Sequence, residues 1–134
     1  MEQTIQVFEQ QQMKIFMELD ESKKKEKTVM YSTSLPKGLK ESLHKAADAL
    51  HRKKADWIRT ALNIFLGYGE KDQERKIIES YQNMGVTQLR PFTTTLFESQ
   101  LKKLDLLSQS LKRSKADILR TAIYLLLSSD VTKQ

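Results

Sequence analysis

Two basic tetrapeptides, His51-Arg52-Lys53-Lys54 and Lys112-Arg113-Ser114-Lys115, each stand directly before a strongly apolar helical pattern. Each is followed by an acid two residues on, Asp56 and Asp117. A helix start presents unpaired N–H groups and the positive end of its dipole. Cations gathered there, from Arg52, Lys53 and Lys54 and from Arg113 and Lys115 with the Ser114 hydroxyl beside them, favour an anion at that point. Upstream of each tetrapeptide lies a hydroxyl-rich stretch of period two. Met30, Ser32 and Ser34 share one face there, against Val29, Tyr31, Thr33 and Leu35. In the second stretch Pro91, Thr93 and Thr95 alternate with Phe92, Thr94 and Leu96. Hydroxyls both donate and accept, so such a face can form hydrogen bonds of either polarity with a ligand. His44, Asp48 and His51 at i, i+4 and i+7 could in principle hold a metal, but Asp105, Gln109 and Lys112 do not repeat the set, which favours a plain surface role. With no Cys, no Gly-rich phosphate loop and no nucleophile–base pair, the expectation is a protein without catalysis, metal or cofactor.

These residues come in pairs because one module occurs twice. Lys54–Ala61 reads KADWIRTA and Lys115–Ala122 reads KADILRTA, 61 residues later. The same offset carries Tyr31–Tyr68 onto Phe92–Ser129 without a gap. Aromatic and β-branched residues with alternating polarity predict a strand at the head of each module. Pro91 has no N–H, so the second strand must begin there or lie at an edge. Leu39, Leu43, Ala46, Ala47 and Leu50 then recur at helical spacing, as do Phe97, Leu101, Leu104, Leu107 and Leu111. Pro36 suits the first turn of the first of these helices. A Thr95-x-x-Glu98 capping box could open the second. The helices after the basic turns, with Trp57, Ile58, Ala61, Leu62, Ile64 and Phe65 or Ile118, Leu119, Ala122, Ile123, Leu125 and Leu126, are too apolar for a surface and should form the core. Ser114 should cap its helix well and Lys53 poorly.

A chain of 134 residues with a net charge of +6 is one ordinary domain or two very small ones. A module of roughly 40 residues buries too little to fold alone, so the copies must pack on each other or on another chain. The charge is unevenly spread: residues 1–27 carry −1, 28–68 +4, 69–90 0 and 91–134 +3. The positive excess lies in the repeats, which suggests a polyanionic partner. No apolar run approaches a membrane span, and the polar, Gln-rich beginning does not read as a secretory signal.

A lone strand cannot satisfy its own backbone, but two can pair into an antiparallel ribbon over four helices, either within the chain across the linker or by swapping between chains. The order strand, helix, basic turn, then Ser114-Lys115-Ala116-Asp117-Ile118-Leu119-Arg120-Thr121-Ala122 resembles the ribbon-helix-helix DNA-binding proteins of the Arc, MetJ and CopG type, over roughly 80 residues in two blocks. Tandem copies on one chain are similar to relaxosome accessory proteins of plasmid conjugation, of the TraY type. The resemblance implies a mainly α fold with a two-stranded ribbon, in which two tandem repeats form a pseudo-dimer. It implies double-stranded DNA as partner, read in the major groove by Met30, Ser32, Ser34, Thr93 and Thr95 (with Pro91 at the remaining reader position). The helix starts would hold phosphates, and Arg90 could reach the backbone. The place would be cytoplasmic, on nucleoid or plasmid DNA. A transcriptional repressor of the same fold and an antitoxin-like interaction scaffold are the alternatives.

Outside the repeats, residues 69–90 read as a helical linker with Ile77, Ile78 and Tyr81 as its apolar strip, ended by Gly85. Ile5, Phe8, Gln12, Ile15 and Leu19 predict an N-terminal amphipathic helix within 1–27, serving self-association on DNA or contact with a partner such as a relaxase. Arg59 and Arg120 recur one turn inside their helices, as partners of acids or of phosphate.

Overall fold

The computed structural model describes residues 26–128. The expected N-terminal helix therefore lies almost wholly outside the described residues. Those residues form a mainly helical fold with one two-stranded antiparallel sheet. In chain order the elements are β1 (Thr28–Pro36), α1 (Lys37–Ala49), α2 (Lys54–Leu66), α3 (Glu70–Met84), β2 (Leu89–Phe97), α4 (Glu98–Leu111) and α5 (Lys115–Leu127). A strand followed by two helices thus occurs twice, with α3 between.

The strands pair across the repeat. Ser32 lies opposite Thr93, its counterpart under the 61-residue offset. Met30 faces Thr95 and Ser34 faces Pro91. Beyond the ladder, Lys37 N donates to Gln88 O and Glu98 N to Lys27 O, both at 3.1 Å, and these two bonds are also counterparts. β2 starts two residues before Pro91, so the proline sits inside the strand. It is tolerated because its carbonyl accepts from Lys40 Nζ at 3.3 Å, outside the ladder. N and C=O of one strand residue point the same way, so the missing N–H would also have faced outward. The carbonyls of Ser34 and Thr95 likewise accept from side chains at the outer edges. The outward-facing residues are therefore the non-hydrogen-bonded pairs of the ladder, in which side chains come closest. Ser32 Oγ and Thr93 Oγ1 are 3.3 Å apart.

The inner face of the ribbon closes the core. Leu35 and its counterpart Leu96 are fully buried, and Phe92 nearly so. Each buried leucine contributes about 1.5–3 kcal/mol by leaving water. They join Leu43, Trp57, Ile58, Leu62, Phe65, Leu104, Ile118, Leu119 and Ile123 in one continuous cluster. Among the helix pairs α2 and α5 pack most extensively, as their all-round apolarity requires.

The local signals are met unevenly. Ser114 Oγ accepts from Asp117 N at 3.0 Å, as an N-cap should, whereas Lys53 gives no side-chain cap. The Thr95–Glu98 capping box does not form. Thr95 stays in the strand, α4 opens at Glu98, and the Gln100 side chain accepts from Phe97 N at 3.1 Å. His51 and Lys112, again counterparts, turn the chain with φ of 52° and 54°. His51 therefore lies past the end of α1 and leaves the helical face of His44 and Asp48. In the linker helix Ile77 is buried and Tyr81 half-buried, but Ile78 is exposed. Gly85, at φ +65°, ends α3 in a conformation that suits glycine.

Candidate nucleic-acid interface

The exposed side of the ribbon brings the sequence-predicted readers together. Met30 is 76% exposed, and Ser32, Pro91 and Thr93 are exposed along the middle of the strip. Ser34 and Thr95 lie on the same face but are only partly exposed. Their surroundings are set by two arginines whose role sequence reasoning left open. Arg59, in α2, donates to Thr95 Oγ1 at 2.6 Å and to Thr95 O at 3.4 Å. Arg120, in α5, donates to Ser34 Oγ at 2.7 Å and to Ser34 O at 2.9 Å. Each copy's arginine thereby holds the strand of the other copy. A hydroxyl that accepts from a guanidinium keeps its own hydrogen to donate. Ser34 and Thr95 are thus pre-set as donors, while Ser32 and Thr93 can still exchange roles.

The two arginine sites differ in tightness. Arg59 lies 2.6 Å from Asp56 with both side chains nearly buried, and its guanidinium stands 5.3 Å from the centre of the Phe97 ring. Gln100 Nε2 donates to Arg59 O at 2.8 Å and ties this site to α4. At the other site Arg120 is 3.6 Å from Asp117, with side-chain exposures of 10% and 25%. The Tyr81 hydroxyl, from α3, donates to Asp117 and lies 3.5 Å from Arg120 Nη1. Burial, and then the bond to Asp117, push the Tyr81 phenol up to about 12. The linker helix therefore contributes a side chain to one arginine site, for which its apolar spacing gave no signal.

The helix starts are also unequal. Lys53 and Ser114 have nearly the same backbone, φ −68° ψ 145° and φ −66° ψ 151°. Lys115 Nζ sits 2.5 Å from Asp105, and this bond raises its pKa. Sequence reasoning placed Lys115 as a phosphate ligand, but here it already has a carboxylate. Lys54, its counterpart, lines a shallow concavity with Arg90 and Lys37. Lys53 is exposed and Arg52 and Arg113 are partly exposed in the turns.

The matched backbones permit a direct exchange. Lys53→Ser should supply the missing cap and stabilise the fold by about 0.5–2 kcal/mol. The same change removes a cation from a helix start and, if that start holds a phosphate, should weaken binding of any DNA duplex. Thermal unfolding and duplex titration on one sample check both signs. A stabilised variant with undiminished duplex affinity would remove Lys53 from the interface.

Comparison with protein-family models, with curated proteins and with solved structures gives no match, so the function has to be read from these residues.

Proposed function

We propose that this protein binds double-stranded DNA sequence-specifically, as a tandem ribbon-helix-helix protein whose two copies make a pseudo-dimer on one chain. The observation that carries this reading is the ribbon itself. It is two strands wide, centred on a counterpart pair, mostly polar and open to solvent along the middle of one face, and packed into the core on the other. A ribbon of this width fits the major groove, where side chains can meet base edges. Met30, Ser32, Ser34, Thr93 and Thr95 would touch bases. Arg52, Lys53, Lys54, Arg90, Arg113 and Ser114 would meet phosphates, which orient the protein without carrying sequence information. Lys115 would join them only by leaving Asp105.

Because Met30, Ser32 and Ser34 differ from Pro91, Thr93 and Thr95, the preferred site should be asymmetric and have a direction. A palindrome suits a symmetric reader instead. The tandem arrangement favours a relaxosome accessory role at a plasmid origin of transfer, with self-association on DNA and contact with a relaxase. A repressor of the same fold would use the same face.

The physical test is the salt dependence of duplex binding. Neutralising several phosphates releases their counterions, so log K should fall with log salt at a slope of roughly −0.9 for each phosphate. A slope of about −4 or steeper is expected. A flat dependence, with weak binding throughout, would favour the antitoxin-like scaffold reading.

A further inference from the structure

We propose that the α1 side of the ribbon extends the Lys54 and Arg90 contacts into a phosphate-binding groove with no equivalent charge on the α4 side, so that the protein grips the DNA backbone more strongly through one half. Lys37, Lys40, Lys45, Lys54 and Arg90 line one concavity, with Glu41 as the sole carboxylate among its lining residues and His44 completing it. The residues come from α1, from the start of α2 and from the beginning of β2. Their ammonium and guanidinium groups are on exposed or half-exposed residues. Lys40 fixes the location, since its Nζ bonds the carbonyl of Pro91 at the outer edge of the ribbon.

The 61-residue offset supplies an internal control. The five cations correspond to Glu98, Leu101, Leu106, Lys115 and Val29, Glu41 to Lys102, and His44 to Asp105. Five cations against one carboxylate thus face two lysines against two carboxylates. On the second side Lys115 is in addition paired with Asp105, and Leu106 is 66% exposed. The backbone repeats while the charge does not, so the groove is not a by-product of the fold. Five like charges in one concavity repel one another, and a counter-charged ligand relieves that cost. Beside a ribbon in the major groove, the strands' phosphates are the anions that pass this point. The proposal rests on the DNA reading above. It adds that direction on DNA is imposed by unequal backbone grip as well as by unequal readers.

The experiment is the salt dependence of binding to a short random-sequence duplex by the full chain. Lys37→Ala/Lys40→Ala/Lys45→Ala should make the log–log slope shallower by roughly two to three and weaken binding roughly tenfold or more at fixed salt. Lys102→Ala, on the other side, should leave the slope nearly unchanged. A gain variant guards against damage to the fold: Glu98→Lys/Leu106→Lys places cations on the α4 side and should steepen the slope by about one to two. If the unmodified protein has a steep slope that the triple variant keeps, the groove is not a phosphate site and an acidic protein partner becomes its better occupant. If the unmodified protein has no salt-dependent binding at all, the DNA reading falls, and this proposal with it.

Discussion

Arg59→Met is expected to destabilise the protein by about 3–5 kcal/mol, because it takes the guanidinium partner from a carboxylate that is almost out of solvent. Arg59 and Asp56 are 2% and 5% exposed. The same change frees Thr95 Oγ1 and removes the cation from the Phe97 ring. Arg120→Met should cost less, about 1.5–3 kcal/mol, since Asp117 keeps more solvent and the Tyr81 hydroxyl. Urea unfolding of both variants checks the order. Equal losses would mean that burial of the pair does not set the cost. Asp56→Ala/Arg59→Met should recover much of the stability by removing both charges together, yet leave Thr95 unheld. That double variant separates the two roles of Arg59: its stability should approach the unmodified protein, while its site preference should not.

The second large effect is in the core. Leu35→Ala and Leu96→Ala should each cost about 2–5 kcal/mol, through lost burial and the cavity left behind. Both leucines are fully buried, occupy counterpart positions and lie on the inner face of the ribbon. Each variant should therefore lose stability by a similar amount. Both copies contribute to one apolar cluster, so each variant should also unfold in one cooperative transition seen identically by Trp57 fluorescence and by helical circular dichroism. Two separated transitions would show that the copies fold as independent units.

Much of this arrangement is legible in the sequence, because it follows from short-range patterning. The alternation from Val29 to Leu35 and from Phe92 to Leu96 fixes which ribbon face is inward. The spacing of Leu39, Leu43 and Ala47 fixes the buried stripe of α1. Ser114 announces its cap. What stayed illegible depends on partners brought together from distant positions. Nothing local tells that Arg59 meets Thr95, 36 residues away, or that Arg120 meets Ser34, 86 residues away. The Thr95 capping box is locally consistent, but Arg59 holds Thr95 in the strand and the Gln100 side chain accepts from Phe97 N instead. Lys115 looked like a free cation because Asp105 lies on a different helix. The α1 groove is a different case: its charge asymmetry is written position by position across the 61-residue offset.

The central claim, that the ribbon face reads base sequence, is tested most directly by selecting duplexes from a random pool with the unmodified protein, with Thr93→Ala and with Lys54→Ala. The unmodified protein should enrich an asymmetric motif. Thr93→Ala should change the preference at one or two adjacent base pairs near its centre, where Thr93 faces Ser32. Lys54→Ala should return the original motif with weaker binding to every sequence. Failure to enrich any motif, or the same motif from Thr93→Ala with an equal loss on all sequences, would contradict readout by the ribbon.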